Sequence, residues 1–325
     1  MNNDKLPERI PGEECSETLR PVNPGAERWL NRPIKLLDHG FAYLVDCQGN
    51  DAAIAQAARV SYGKGTRKMS GNHGLIRYLF RRRHLTPFEM CELKFHCRMP
   101  IFVARQWVRH RTANLNEESL RYSVASSDMY VPEIDQICEQ SSNNKQGRGS
   151  KFSLAQAKKI QDAIRKNNED QYEKYLWLAN AKQDPSDPQS WIPIDPERPM
   201  LSRELARGIL PVNTYTQWYW KTDLRNLFNF LSLRMDPHAQ YEIRVYADAM
   251  AKIVKELFPI AYEAFEDYQL HSLSLSRLEI KLMNKYPKIF KLDRVNLKTE
   301  ISKVIKNSRE ADEFITKLEW LGFAK

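Results

Sequence analysis

The sequence predicts an α+β protein, a mainly antiparallel sheet packed with helices, and three observations carry that reading. Cys91 to Met99 alternate strictly, with Cys91, Leu93, Phe95, Cys97 and Met99 on one side and Glu92, Lys94, His96 and Arg98 on the other, the period of a half-buried strand. Leu224, Leu227, Phe228 and Leu231 recur at helical spacing, an apolar stripe that has to pack on something. The chain also lacks the glycine fingerprint that opens a doubly wound dinucleotide fold.

The elements follow in order. Pro7, Pro11, Pro21 and Pro24 without periodicity make residues 1–30 an irregular N-terminal arm, tolerant of change. Two short strands, Ile34–Leu37 and Phe41–Val45, are broken at His39-Gly40, and Asp51 caps an Ala-rich helix from Ala52 to Val60. A glycine-punctuated loop, Gly63 to Gly74, precedes a helix from Leu75 to Arg83 with Leu75, Tyr78 and Leu79 on one side. His84-Leu85-Thr86-Pro87-Phe88 interrupts it ahead of the alternating strand, and Pro100 opens a helix with Ile101 to Val108 as its apolar side.

Polarity then rises. Residues 135–200 read as a helical insertion on one core, because they hold little apolar material: a Ser/Asn/Gly stretch, a charged helix from Ala155 to Asn180, and a proline-rich loop. A short helix, Ser202–Leu210, stops at Pro211; the Leu224 helix follows, and after Pro237 another runs from His238 to Leu257. The plan is an arm at 1–30, a single core at 31–275 and a basic helical extension at 276–325, the last as two small helices parted near Pro287.

Composition narrows the class. With 42% hydrophobic and 28% charged residues the chain is globular rather than disordered. No stretch approaches the ~18 apolar residues of a membrane span, and the start Met1-Asn2-Asn3-Asp4-Lys5 has no apolar run, so a soluble, cytoplasmic protein without a membrane partner is expected. Five scattered cysteines with no Cys-x-x-Cys pair point to reduced thiols and no metal. Of the net charge of +9, the extension carries +5 (12 Lys/Arg against 7 Asp/Glu) and the rest only +4. The body itself does not call for nucleic acid.

The densest polar segment is Arg109 to Tyr122. On a helix Gln106 would share a face with Arg109 and His110, and Asn116, Glu117, Ser119 and Arg121 follow without apolar spacing. Such a run is costly to bury unless a polar ligand satisfies it; the competing reading is a solvated helix end. Asp223, Arg225 and Asn229 lie opposite the apolar stripe, with Arg234 beyond, a set that in isolation reads as facing water. Glu204 and Arg207, three apart, read as a surface ion pair worth little.

Taken together and in this order, the blocks resemble the flavin-dependent thymidylate synthases. Arg109-His110-Arg111, seven residues and Ser119 match that family's signature; His84 to Glu89, Pro100 to Trp107 and Asn229 to Ile243 match its flanking blocks, so the likeness spans Pro33 to Phe265. The resemblance implies reductive methylation of dUMP to dTMP, with methylenetetrahydrofolate as carbon donor, NADPH as electron donor and FAD as hydride carrier. It implies that His84, Thr86, Arg109, His110, Arg111, Glu117, Asp223, Arg225 and Asn229 hold FAD. It places dUMP on Gln106, Arg109, Glu118, Ser119, Leu120, Arg121, Arg207 and Arg234, with Arg234 the catalytic cation beside the pyrimidine. It also implies a homotetramer whose sites draw on several subunits. Asp223 departs from the asparagine of several members and, when ionised, can only accept.

A cysteine-dependent thymidylate synthase needs an accessible, activated thiolate. Cys91 and Cys97 fall on the apolar side of the strand, and Cys15, Cys47 and Cys138 lie outside the matched blocks, so packing is their expected role. Two rival readings are a basic nucleic-acid-binding protein and a different flavin-dependent reductase. Flavin colour separates the first from an enzyme, and dUMP methylation separates the second.

Overall fold

The computed structural model of the protein describes residues 21–62, 72–142, 145–187, 190–285 and 294–322. It divides into two units, Met1–Phe265 and Glu266–Lys325, and that division falls ahead of Ser276, where the sequence places the start of the extension.

The first unit opens with a helix, α1 (Pro24–Trp29), inside the expected irregular arm. The correction has a local cause: Asn23 Oδ1 accepts from the Gly25 and Ala26 amides, and Pro24 sits where a missing N–H costs nothing. Asn23 Nδ2 donates to the carbonyls of Gly49 and Leu257, so a segment rich in loop formers is tied at its start to two distant stretches of chain. Residues 1–20, and most of the expected 63–74 loop (63–71), lie outside the described residues.

Five strands form the antiparallel sheet β1-β2-β3-β9-β4: β1 (Ile34–Leu36), β2 (Gly40–Gln48), β3 (Glu92–Pro100), β4 (Asn114–Glu117) and β9 (Tyr215–Asp223). The α+β reading holds, and β3 is its hub, flanked by β2 and β9. Its Cys91-to-Met99 face is fully buried. The register sets Phe95 opposite Trp220 and Cys97 opposite Trp218. Sequence reading misses β9 and the exposed edge strand β4. The first alternates Thr216, Trp218, Trp220 and Thr222 inward, but threonines blur an apolar count; the second buries no side chain, so alternation has nothing to report.

Helices cover the buried face. α2 (Asp51–Arg59) is capped by Asn50, whose Oδ1 accepts from the Ala53 amide at 3.1 Å. Asp51, expected in that role, instead accepts from the Ile260 and Ala261 amides. α3 (Asn72–Arg81) buries Ile76, Leu79 and Phe80, while Tyr78, expected inward, is exposed. α4 (Ile101–Trp107) carries Trp107, which stacks on Phe230 at 4.8 Å and meets Trp218 and Trp220 edge-on. The insertion holds the hairpin β5 (Cys138–Gln140) and β6 (Arg148–Lys151), then the long α5 (Leu154–Ala179), whose Ser153/Gln156 capping box fixes its start. Another hairpin follows, β7 (Ala181–Gln183) with β8 (Trp191–Pro193), then α6 (Arg203–Ala206). α7 (Leu224–Arg234), α8 (Tyr241–Leu257) and α9 (Pro259–Phe265) complete the unit; α8 starts at Tyr241, not at His238.

Among its described residues the extension from 276 onward holds three helices rather than the two expected: α10 (Arg277–Lys285), α11 (Arg294–Val304) and α12 (Ser308–Trp320). Leu282, Leu297, Ile301, Ile305, Phe314, Ile315 and Leu318 make a core of their own. Pro287 lies outside the described residues. No helix among them is long and apolar enough to cross a membrane, and no His/Cys/Asp/Glu group there is arranged to hold a metal.

Candidate functional site

Two helix ends build the central cluster. α4 stops at Trp107, so Arg109 and His110 leave the helix in a turn, closed by the His110 amide on the Trp107 carbonyl, instead of continuing its face beside Gln106. The last residue of α7 is Arg234. Its Nε donates to His110 Nε2 at 3.0 Å, and its Nη2 reaches the Gln106 carbonyl at 3.4 Å. Phe230 sets the imidazole plane by an edge contact at 4.9 Å. Burial first, and then the Arg234 charge, pulls the His110 pKa down to about 4, so the ring is neutral at physiological pH. Burial also lowers the pKa of Arg234, which remains a cation.

A cavity of about 370 Å³ opens on this pair, lined by Arg109, Arg111, Trp220, Thr222 and Asn229 among others. Neither Arg109 nor Arg111 has an acidic partner among the described residues. The two guanidinium groups supply positive charge, the chemistry of a site for an anion, while Trp220, almost wholly buried, forms the floor beneath them. Trp220, Thr222, Asn226 and Leu233 are absent from the sequence-based set. The inward period of β9 and the i, i+4 spacing from Asn229 to Leu233 are the signals that could have found them.

His84 and Thr86 lie elsewhere, in a larger and more apolar cavity of about 1010 Å³ with Gln56, Tyr78, Pro87 and Met90. His84 stacks on Tyr78 at 6.4 Å. Arg225 pairs with Glu89. Asp223 spends its carboxylate on capping α7, accepting from the Asn226 amide at 2.9 Å and from Asn226 Nδ2 at 2.7 Å. Of the expected flavin residues, one chain therefore places His84 and Thr86 on one cavity and Arg109, His110, Arg111 and Asn229 on another, while Glu117, Asp223 and Arg225 line neither of the two.

Of the expected nucleotide residues, Glu118, Ser119, Leu120 and Arg121 directly follow β4, while Arg109 and Arg234 belong to the cavity just described. Glu117 accepts from Thr216 Oγ1 at 2.7 Å, and the Glu118 amide extends the ladder to the Gln217 carbonyl. Ser119 Oγ accepts from the Arg121 amide at 3.4 Å. Leu120 packs on a small core of Ala125, Tyr175, Ala179, Ala181 and Ala206, which places Arg121 beside α6: its Nε lies 3.7 Å from Glu204, and Arg203 donates to the Tyr122 carbonyl. Glu204 thus pairs with Arg121 and not with Arg207, which follows α6 directly and is left half-buried. Gln106 donates to Gln240.

The cysteines of the central sheet are not activated. Burial pushes the Cys47 and Cys91 thiols up to about 12 and Cys97 far above its ordinary range.

Comparison with known proteins gives one answer. The sequence pattern of the family described as "Thymidylate synthase complementing protein" matches residues 43–260. The chain is 49% identical over 268 residues to the flavin-dependent thymidylate synthase of Gluconobacter oxydans, covering 82% of this chain and 84% of that one. It is likewise 49% identical over 269 residues to the flavin-dependent thymidylate synthase of Rickettsia bellii, covering 82% and 90%. Among solved structures, the UMP/dUMP methylase PolB of Streptomyces cacaoi bound with 5-Br UMP is 34% identical with a TM-score of 0.61, covering 74% of this chain and 99% of that one.

Proposed function

The chain belongs to the flavin-dependent thymidylate synthase family, and on that premise we propose how its residues carry out the reductive methylation of dUMP to dTMP. The observation that carries the reading is the hydrogen bond from Arg234 to a neutral His110 inside a cavity rimmed by Arg109 and Arg111.

The residues fit a flavin dinucleotide. Arg109 and Arg111 offer guanidinium forks to a pyrophosphate, and the exposed Asn229 offers an amide to a ring. His110, with Nε2 occupied, keeps Nδ1–H as a donor. Bound there, FAD supplies the hydride that the methyl group needs. Glu117 and Arg225 sit at the periphery of this set; His84 and Thr86 complete it from the second cavity. Asp223 acts through its cap on α7, which fixes where Arg225 and Asn229 emerge.

dUMP is held by Gln106, Arg109, Glu118, Ser119, Leu120, Arg121 and Arg207, with the arginines on its phosphate. Arg234 is the catalytic residue: a fixed, partly dehydrated cation beside the pyrimidine stabilises the negative charge that develops as the ring turns nucleophilic. With Cys47, Cys91 and Cys97 held as thiols and Cys138 away in the β5 hairpin, ring activation by a cysteine has no candidate among the described residues. Methylenetetrahydrofolate is the carbon donor and NADPH the reductant.

A cavity of about 370 Å³ is at the low end of ligand clefts, which run roughly 300–1,000 Å³, too small to enclose a dinucleotide and a nucleotide together. This supports a homotetramer in which one subunit's arginine cavity is completed by another subunit's His84 cavity. The test is incubation of the purified protein with dUMP, methylenetetrahydrofolate, FAD and NADPH: dTMP must form, and none must form when any one component is left out.

A further inference from the structure

Glu242 is 3% exposed and has an unusual set of partners for a buried carboxylate. Its Oε1 accepts from Tyr130 OH at 3.0 Å and from Arg148 Nη2, and its Oε2 accepts from Gln240 Nε2 at 2.9 Å. Gln240 in turn meets the Gln106 carboxamide. Arg148 comes from β6 in the polar insertion; it also donates to Gln136 at 2.7 Å and lies over the Tyr241 ring at 5.5 Å.

The chemistry of these groups fixes a direction. A carboxylate paired with a guanidinium can only accept, so the end of Gln240 that faces Glu242 must be its NH₂. That leaves Gln240 Oε1 toward Gln106, which must then meet it with Nε2. The remaining Gln106 atom, Oε1, is left as an acceptor with no donor among the described residues. An amide that could otherwise present either atom is held in one orientation by a carboxylate two links away.

We propose that Glu242 is a positioning residue for substrate recognition: through Gln240 it orients Gln106 so that a carbonyl oxygen meets a hydrogen-bond donor of dUMP, with Arg148 of the insertion as its counter-charge. This rests on the reading that Gln106 holds dUMP. It also gives the insertion a part in the reaction, because Arg148 ties the β5–β6 hairpin to the first turn of α8, where the relay begins.

Reversing the polarity of the relay tests the idea. In Glu242→Gln the new amide turns its NH₂ to Gln240, Gln240 flips, and Gln106 then presents a donor where an acceptor was required. The KM for dUMP is expected to rise ~10-fold, the equivalent of one misdirected hydrogen bond, with kcat at saturating dUMP and the affinity for FAD unchanged. The double swap Glu242→Gln/Gln240→Glu restores the direction, since a carboxylate at position 240 accepts from both neighbours, and is expected to return KM to within about twofold of the parent. A purely structural role for Glu242 gives no such rescue. Gln240→Met, at an exposed position, removes both links without disturbing the core and is expected to raise KM in the same way should Glu242→Gln not fold. Arg148→Met is expected to shift KM in the same direction. An unchanged KM in Gln240→Met, or a double swap no better than Glu242→Gln alone, overturns the proposal, and an unchanged KM in Arg148→Met removes the insertion from it. Absence of dUMP methylation by the parent protein would instead refute the underlying functional reading.

Discussion

Arg234 donates from Nε to Nε2 of His110 at 3.0 Å, which makes the imidazole an acceptor on that edge and places its single proton on Nδ1. Burial and the neighbouring cation both disfavour a second proton, and the pKa falls from 6.5 to about 4. The neutral ring is the form the fold prefers, so this contribution to stability is complete above the ordinary histidine pKa of 6.5 and is lost as pH falls toward about 4. An NMR titration of His110 is expected to show its midpoint near 4, moving upward in Arg234→Met; a midpoint at the ordinary value would break the assigned pairing.

Arg234 and Arg109 are expected to fail differently. Arg109→Ala loses a charge-assisted contact to a bound phosphate, so affinity drops and excess FAD or dUMP recovers part of the rate. Arg234→Ala loses a cation whose value appears as the ring gains charge, so methyl transfer slows by ~100-fold even at saturation. Arg234→Lys keeps the charge without the planar fork and recovers only part. Single-turnover dTMP formation, measured beside flavin reduction by NADPH, separates the cases; a normal saturated rate in Arg234→Ala would make Arg234 a binding residue.

Turnover is expected to survive replacement of all five cysteines by Ala or Ser. Cys91 and Cys97 are fully buried, so each truncation to Ala costs about 1 kcal/mol of stability through the cavity it leaves. Thermal unfolding and dTMP assays on the same samples check both halves. Loss of activity in a folded, flavin-binding single variant would return a thiolate to the mechanism.

Gly25 probes the helix that sequence reading misses. A Cβ there would lie 2.3 Å from the Glu256 carbonyl oxygen and 2.7 Å from its carbon, backbone atoms that cannot swing aside. Gly25→Ala is expected to cost roughly 1–3 kcal/mol by overpacking, read as a lowered Tm, whereas a change in a dispensable arm would cost nothing.

The contrast between β3 and α1 shows what was legible. From Glu92 to Met99 β3 alternates polar and apolar side chains without exception, so period alone located it, and its last residue, Pro100, marked the turn into α4. α1 is hidden because Asn and Pro count as loop formers unless one sees that Asn23 has two amides to cap and two distant carbonyls to reach. In the candidate site, Arg109, His110, Arg111 and Ser119 stood out through their match to the family's signature. Glu242 did not: the role proposed for it needs Arg148, Tyr130 and Gln240 to meet around one carboxylate and Gln106 to meet Gln240 in turn, groups brought together from four separate stretches of chain.

The separation of His84 and Thr86 from Arg109 and Arg111, in two cavities of one polypeptide, has a genetic consequence. Where each working centre takes one cavity from each of two chains, a His84→Ala chain and an Arg109→Ala chain carry lesions in different halves. Each alone forms only defective centres, yet co-expressed they are expected to form mixed assemblies in which some centres combine two intact halves. Two inactive alleles should then support growth without added thymidine where neither does alone, whereas two alleles damaged in the same cavity should not.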